Sequence, residues 1–234
     1  MKNKKKLIHR FALVLLFLIT DVTLKAQTCE GYFPMNKGSL METTSYNEKG
    51  KPQSICTIMI KDIGKNNNDV VLSLHSDITD EKGKSVAASD YEARCSNGSF
   101  MINMKSMISA DQLHAWKDMN VTMEADDIDY PLDMAVGQQL KDAHLSVTTS
   151  INGMNLPGTK IDITNRKVES NESITTPAGT FDCMKLTSNI KFKSIIGYEM
   201  QSVEWVSKGN GVIKTESYKG GKMKGYSLLT KLSK

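Results

Sequence analysis

From residue 39 onward, apolar and polar residues alternate in short runs, and polar turns separate these runs. Apolar side chains at every second position predict β-strands that bury one face. Asn97-Gly98, between two such runs, is a strong hairpin signal because Asn and Gly adopt positive φ at low cost. The predicted strands cover residues 39–46, 53–62, 69–76, 86–95, 99–104, 143–150, 160–169, 184–192, 198–207, 214–218 and 225–228.

One predicted helix interrupts this pattern. Ser109, followed three residues later by Gln112, forms a capping box, and the next residues favour a helix over 110–118. In that helix Leu113 and Trp116 would face the sheet. We expect a second, short helical turn near residues 134–140.

The first and last predicted hairpins resemble each other. Residues 42–46 and 214–218 each end in Tyr, and each is followed by a turn of Gly and Lys and by a return strand. They are either two ordinary hairpins or a repeated unit that lies side by side, so that the sheet closes and hides its edges. The predicted fold is mostly β: a curved antiparallel sheet or incomplete β-barrel or sandwich, with one or two short helices.

The first 26 residues have the layout of a cleaved secretory signal peptide. A lysine-rich start precedes an apolar run over residues 11–19, which is too short for a bilayer that needs roughly 20 apolar residues. We therefore expect one all-β domain over residues 27–234, exported to the periplasm or cell exterior, soluble, and without a transmembrane segment. A lipid anchor on Cys29 is the alternative.

The positive charge of the chain belongs largely to this signal. The sequence has 30 basic and 26 acidic residues, and residues 1–26 hold six of the basic and one of the acidic residues. The remainder has 24 basic and 25 acidic residues, a net charge of −1. This balance argues against nucleic-acid binding, which needs a basic face. The lysines near the C-terminus are expected to be mostly solvated: Lys208, Lys214, Lys219, Lys222, Lys224, Lys231 and Lys234.

Four cysteines follow the signal, and an exported protein with an even number of cysteines can form disulfides. Cys29 and Cys95 lie beside predicted turns and are the first candidate pair. Cys56 and Cys183 lie inside predicted strands and could equally be buried thiols. No CxxC pair occurs, so the sequence supports neither a zinc knuckle nor a thioredoxin-type redox site.

No catalytic constellation is visible, and we predict a non-catalytic protein without a metal or cofactor. The three histidines after the signal are not part of a hydrolase or metalloprotease motif. Glu124, Asp126, Asp127 and Asp129 lack the spacing of a calcium loop, so we expect a solvated acidic loop there.

Several stretches together resemble the TapB-like group of exported bacterial proteins of unknown function. These stretches are residues 29–34, 45–51, 175–183 and 204–218. The resemblance implies no catalytic residues. In architecture alone, the pattern is also similar to the half-barrel of periplasmic lipoprotein carriers, where a curved antiparallel sheet cradles helices and an acyl chain.

A methionine-rich stretch provides the candidate ligand wall. Methionine is soft and adaptable, and it suits an apolar lining or a core better than a copper site here. The candidate lining residues are Met101, Met104, Met107, Leu113, Trp116 and Met119. We predict an envelope protein that binds an apolar, lipid-like ligand in the concave face of its sheet. The alternative is a structural or interaction module that docks to an envelope protein through a sheet edge or the lysine-bearing C-terminal hairpin.

Peptide mapping of protein purified without reductant tests the cysteine pairing. We expect a linked peptide that contains Cys29 and Cys95, because an oxidising compartment allows the bond to form and persist. The same digest after reduction is the control, in which the linked peptide must disappear. Alkylation of both cysteines in the unreduced sample would contradict the pairing.

Overall fold

The computed structural model describes residues 31–67, 69–108, 110–194 and 197–234. They form one 14-stranded sheet in which the paired strands are antiparallel. The strands are β1 (Leu40–Asn47), β2 (Pro52–Asn66), β3 (Asp69–Asp80), β4 (Ser85–Ser96), β5 (Ser99–Asn103), β6 (Asn120–Ala125), β7 (Asp127–Pro131), β8 (Ala143–Ile151), β9 (Met154–Asn155), β10 (Thr159–Thr176), β11 (Gly179–Lys193), β12 (Tyr198–Ser207), β13 (Gly211–Lys219) and β14 (Lys222–Ser233). A 3₁₀ helix (Met104–Met107) and a short helix α1 (Ala110–Ala115) lie between β5 and β6.

The prediction of a mostly β fold is confirmed, and most strands are longer than predicted. The predicted helix is confirmed over Ala110–Ala115, while its proposed cap, Ser109, lies outside the described residues. Residues 134–140 form turns and not the expected helical turn.

The prediction of a solvated acidic loop at residues 124–129 is wrong, because this stretch belongs to β6 and β7. Val121, Met123 and Ala125 alternate with polar residues and pack against a core cluster. The acidic side chains between them obscured this strand signal in the sequence.

The first and last hairpins are adjacent, as the closing alternative predicted, but their pairing is not what closes the sheet. From one end to the other, the strand order is β6-β8-β10-β11-β12-β13-β14-β1-β2-β3-β4-β5-β7, and β9 pairs with β8. β1 therefore pairs with β14, and Tyr46 lies opposite Tyr226 with ring centroids 5.0 Å apart. Chain ends that are far apart in sequence thus meet in the middle of the sheet.

β6 and β7 stand at the two ends of this order, although Asp126 alone separates them along the chain. The backbone N–H of Asp126 donates to the His144 carbonyl at 2.9 Å, and the Asp126 carboxylate accepts from the His144 N–H at 3.0 Å. The Asp126 carbonyl accepts from the Met104 N–H at 2.9 Å. One continuous segment therefore joins both edges, and the sheet forms a nearly closed barrel. We call this join the seam.

Arg166 bridges the same seam from β10. Its guanidinium donates to the Asp129 and Lys141 carbonyls, each at 2.8 Å, and to the Asp129 carboxylate at 3.0 Å. It also lies over the Tyr130 ring, 5.4 Å from the ring centroid. The β10–β11 register skips Arg166, and the side chain is only 5% exposed. A buried charge with several partners therefore ties β10 to β7.

A core cluster shows which face of the sheet is the inner one on most strands, although its member Trp205 lies on the opposite face of β12. Strands from all parts of the barrel contribute to it, among them Met41 of β1, Leu74 of β3, Tyr130 of β7, Leu186 of β11 and Leu229 of β14. Tyr32 and Phe33, which precede β1, belong to the same cluster. Side chains in register with these residues and on the same face must therefore line the barrel interior.

The helical segment covers another part of the inner face. Met104 and Ile108 are buried against Leu145 and Val147 of β8, and Trp116 packs against the same cluster. Apolar contacts thus hold the segment between β5 and β6 against the barrel.

Arg166→Met tests the bridge across the seam. The variant keeps an apolar stem but leaves the Asp129 carboxylate and two carbonyls without their donor, which should lower the free energy of unfolding by about 3 kcal/mol. Chemical denaturation measures this loss. Arg94→Met is the matched control: Arg94 pairs with Asp127 on β7, but its side chain is 50% exposed, and its loss should cost less than about 1 kcal/mol. Equal losses in the two variants would contradict the bridging role.

Candidate functional site

Next to the core cluster, the inner face carries a row of small hydroxyl side chains. Thr215 of β13 lies opposite Glu204 on one side and opposite Ser227 of β14 on the other. Ser227 lies opposite Ser45 of β1, which in turn lies opposite Ser54 of β2. The row therefore crosses five neighbouring strands without a gap.

A second row lies beside the first. Ser188 of β11 is opposite Ser202 of β12, and Ser202 is opposite Ser217 of β13. Ser188 is two residues from the core residue Leu186, so it shares the inner face. We call these residues the hydroxyl belt: Ser45, Ser54, Ser188, Ser202, Thr215, Ser217 and Ser227.

The belt residues are buried or half-buried in the protein. Ser202 and Ser227 are 7% and 9% exposed, and the other belt residues are half-buried. In the described chain, the buried side-chain oxygens without a hydrogen-bond partner are those of Tyr32 and Ser39. Each belt hydroxyl therefore either has a hydrogen-bond partner or is accessible to water.

Glu204 is the ionisable group at the end of the first row. The Tyr130 hydroxyl donates to its Oε2 at 3.3 Å from across the barrel. Burial raises the pKa of Glu204, although the charge of Arg166 and the Tyr130 hydrogen bond both lower it. Burial also raises the pKa of Tyr130. A buried carboxyl group, whose negative charge Arg166 and Tyr130 stabilise only in part, thus lies beside the hydroxyl belt.

An apolar strip lies on the same inner face, across β2, β3, β4, β5 and β7. Its side chains are half-buried: Ile58, Ile78, Tyr91, Ile102 and Ile128. Their inner position follows from the register, since Ile58 and Tyr91 are next to the core residues Ile60 and Ala93 on their face. Burial raises the pKa of Tyr91, so its phenol stays neutral. The inner wall thus carries this apolar strip, which Ser76 and Ser89 interrupt, beside the hydroxyl belt.

A cleft of about 460 Å³ opens between the helical segment and β4. Ser89 and Tyr91 of the inner face line it, together with Ile108 and Leu113 from the helical segment. Leu113 is 50% exposed. The cleft therefore reaches from solvent to Tyr91, one residue of the apolar strip.

The structure places the predicted ligand-lining residues in different environments. Met104 is fully buried and packs in the cluster beneath the helical segment, which Trp116 also contacts. Leu113 borders the cleft, and Met107 is exposed. Met119 is half-buried just before β6.

Met101 lies apart from the other five residues. It points away from the inner face, because its strand neighbours Phe100 and Ile102 point inward. It borders a cavity of about 450 Å³ with polar residues that include Arg94 and Asp127. The proposed lining role of the six residues stays a prediction.

The hydroxyl belt was not predicted from the sequence. Ser202 and Glu204 alternate with Val203 and Trp205, which looks like an ordinary strand with one wet face. A useful signal was the recurrence of Ser and Thr at alternate positions in strands at both ends of the chain. Only the pairing of β1 with β14 brings these positions into one row.

A second depression, of about 710 Å³, lies beside Trp205, and its lining includes the belt residues Ser188 and Ser202 as well as outward-facing Lys185 and Thr187. Lys185 and Lys214 are cross-strand neighbours of Trp205 and lie 5.3 and 4.5 Å from its ring centroid. The Trp205 indole N–H donates to Glu172 at 2.9 Å. Hydrogen bonds from Ser170, Trp205 and Lys185 lower the pKa of Glu172 to about 2. Lys185, Lys214, Trp205 and Glu172 are thus joined by hydrogen bonds and cation–π contacts, and we assign them a structural role.

Cys56 and Cys183 are free thiols, in line with the buried-thiol alternative. Burial raises the pKa of both, which makes them poor nucleophiles. The proposed partner of Cys95, Cys29, lies outside the described residues, so that pairing stays a prediction.

None of the helices in the described ranges is long and apolar enough to cross a membrane. Solved structures that resemble this chain include the following two. A predicted exported protein with a YmcC-like fold from Bacteroides fragilis is 24% identical, with a TM-score of 0.70 over 86% of this chain and 98% of that one. A predicted lipoprotein from Parabacteroides distasonis is 27% identical, with a TM-score of 0.72 over 88% of this chain and 100% of that one.

No curated protein matches the chain. The profile of the DUF3108-like family matches residues 36–229, and the chain therefore belongs to the DUF3108-like family.

Proposed function

We propose that this chain is a non-catalytic envelope protein that binds an apolar, lipid-like ligand on the inner wall of its barrel. The observation that carries the proposal is the apolar strip, whose side chains stay half-buried although they lie inside the barrel. A ligand that covers these side chains would gain roughly 25 cal/mol for each Å² of apolar surface removed from water. The cleft beside the helical segment offers a route to them.

Export is supported by the signal-like first residues and by the two structural relatives, which are described as an exported protein and a lipoprotein. Release after signal cleavage and a lipid anchor on Cys29 both remain compatible with this location. The narrower resemblance to the TapB-like group stays a prediction.

The absence of catalysis is part of the proposal. Two histidines pair with aspartates near the surface: His75 with Asp90 at 2.7 Å and His144 with Asp162 at 3.0 Å. In the described chain, no hydrogen bond joins either imidazole to a serine hydroxyl or cysteine thiol, as a nucleophile–base pair would require. These pairs suit surface ion pairing better than acid–base chemistry.

Docking to an envelope component through the last hairpin is the second candidate function. Lys219, Lys222 and Lys224 at the β13–β14 turn are exposed and have no ion pair within the described chain. By contrast, Lys208 and Lys214 pair with Asp133 and Glu216. Association of this kind would weaken steeply as salt is raised, whereas lipid binding inside the barrel would not.

Intrinsic fluorescence tests the ligand proposal. Titration with dispersed methyl laurate should change the emission of Trp116, because this side chain packs where the helical segment meets the barrel. The chain has 2 tryptophans, so Trp116→Phe should remove the response and Trp205→Phe should retain it. A flat titration of folded protein would contradict the proposal.

A charged residue in the apolar strip should block binding. We expect Ile78→Asp to weaken methyl laurate binding by at least about tenfold, because the bound acyl chain would bury the introduced carboxylate. Val86→Asp is the matched control on the neighbouring strand, where Val86 is 50% exposed and binding should be unchanged. Similar affinities of the two folded variants would place the ligand elsewhere.

A further inference from the structure

We propose that the hydroxyl belt and Glu204 bind the head group of the ligand, and that they select an uncharged head group with several hydroxyl groups. This inference rests on the proposed function, because the belt shares the inner wall with the apolar strip. An amphipathic ligand could place its acyl chain on the strip and its head group on the belt.

The continuity of the belt supports recognition of one extended polar group. The first row crosses β12, β13, β14, β1 and β2 in register, and the second row runs beside it. Neighbouring strands lie about 4.8 Å apart, so the belt presents a hydroxyl group at roughly this interval. A polyol or sugar head group can bond to several such positions at once, whereas a plain ester cannot.

The belt has unused hydrogen-bonding capacity. Thr215 and Ser227 share one hydrogen bond at 2.6 Å. Each hydroxyl group can donate once and accept twice, so both residues keep further sites. Within the described chain, the side chains of Ser45, Ser54 and Ser202 have no hydrogen-bond partner, and none of their oxygens is sealed from solvent. A bound head group would supply these partners.

The charges around the belt disfavour an anion. Arg166 is the cation near Glu204, but three of its five N–H donors are committed to the Asp129 carboxylate and to two backbone carbonyls. Glu204 accepts one hydrogen bond from Tyr130 and otherwise faces the belt. When ionised, this carboxyl group accepts a hydrogen bond from a ligand hydroxyl and repels a phosphate or carboxylate. When neutral, it can accept or donate a hydrogen bond but supplies no positive charge to hold an anion.

Three ligands with the same acyl chain test the selection: glycerol monolaurate, methyl laurate and laurate. Their binding is measured by Trp116 fluorescence at neutral pH, below the concentration at which they aggregate. We expect glycerol monolaurate to bind about tenfold more tightly than methyl laurate, the effect of one or two additional hydrogen bonds. Laurate should bind more weakly than glycerol monolaurate, and Glu204→Gln should reduce that difference.

Thr215→Val removes one belt hydroxyl with little change in volume. It should weaken glycerol monolaurate binding about fivefold to tenfold and leave methyl laurate binding unchanged. Ser45→Ala, on a different strand of the same row, should act in the same direction and guards against a local folding defect. Thr175→Val is the control, since Thr175 shares a similar hydroxyl pair with Thr180, 2.9 Å apart, at an exposed site.

The outcomes separate the two proposals. If methyl laurate binds and glycerol monolaurate binds no more tightly, the head-group inference is wrong while the lipid-binding function stands. Equal weakening of both ligands by Thr215→Val would also contradict the inference. If none of the three ligands binds folded protein, both proposals fail.

Discussion

The barrel depends on the seam, where one continuous segment passes from one edge of the sheet to the other. Asp126 uses its backbone N–H, its carbonyl and its carboxylate to bond both sides, and Arg166 adds a buried bridge from β10 to β7. An open sheet of this length would expose two edges and leave one large face partly uncovered. Closure turns that face into an inner wall and gives the molecule a defined interior.

The interior is divided, and this division determines what it can bind. One part is filled by the core cluster, and another is covered by the helical segment through Met104 and Trp116. Between them, the apolar strip and the hydroxyl belt remain partly accessible. Enclosed apolar surface beside unsatisfied hydroxyl groups is suited to an amphipathic molecule, since neither water nor a purely apolar ligand would satisfy both surfaces.

Alternation and turn residues predicted most of the fold. The similar hairpins around Tyr46 and Tyr226 even indicated that the first and last strands would meet, because closure is a common way to hide edges. The sequence could not show the seam: β6 and β7 carry acidic residues whose partners, such as Arg166 for Asp129, are distant along the chain. The predicted helix is present, but the sequence did not show which strands it packs against.

The candidate site was harder to predict than the fold for the same reason. A strand with alternating serines has the same sequence pattern whether its polar face is exposed to solvent or lines a binding site. The row from Thr215 through Ser227 to Ser45 exists only because β14 pairs with β1. Methionine spacing, in contrast, suggested a common wall, whereas strand alternation turns Met101 away from the side of the sheet that Met104 faces.

Native mass spectrometry of the protein, purified from the envelope of its own organism, shows whether the barrel holds an amphipathic lipid. We expect a folded protein that carries a lipid-sized adduct with an uncharged, hydroxylated head group, and an Ile78→Asp protein without that adduct. A folded wild-type protein that is always free of lipid, or an adduct that Ile78→Asp retains, would overturn the proposed function.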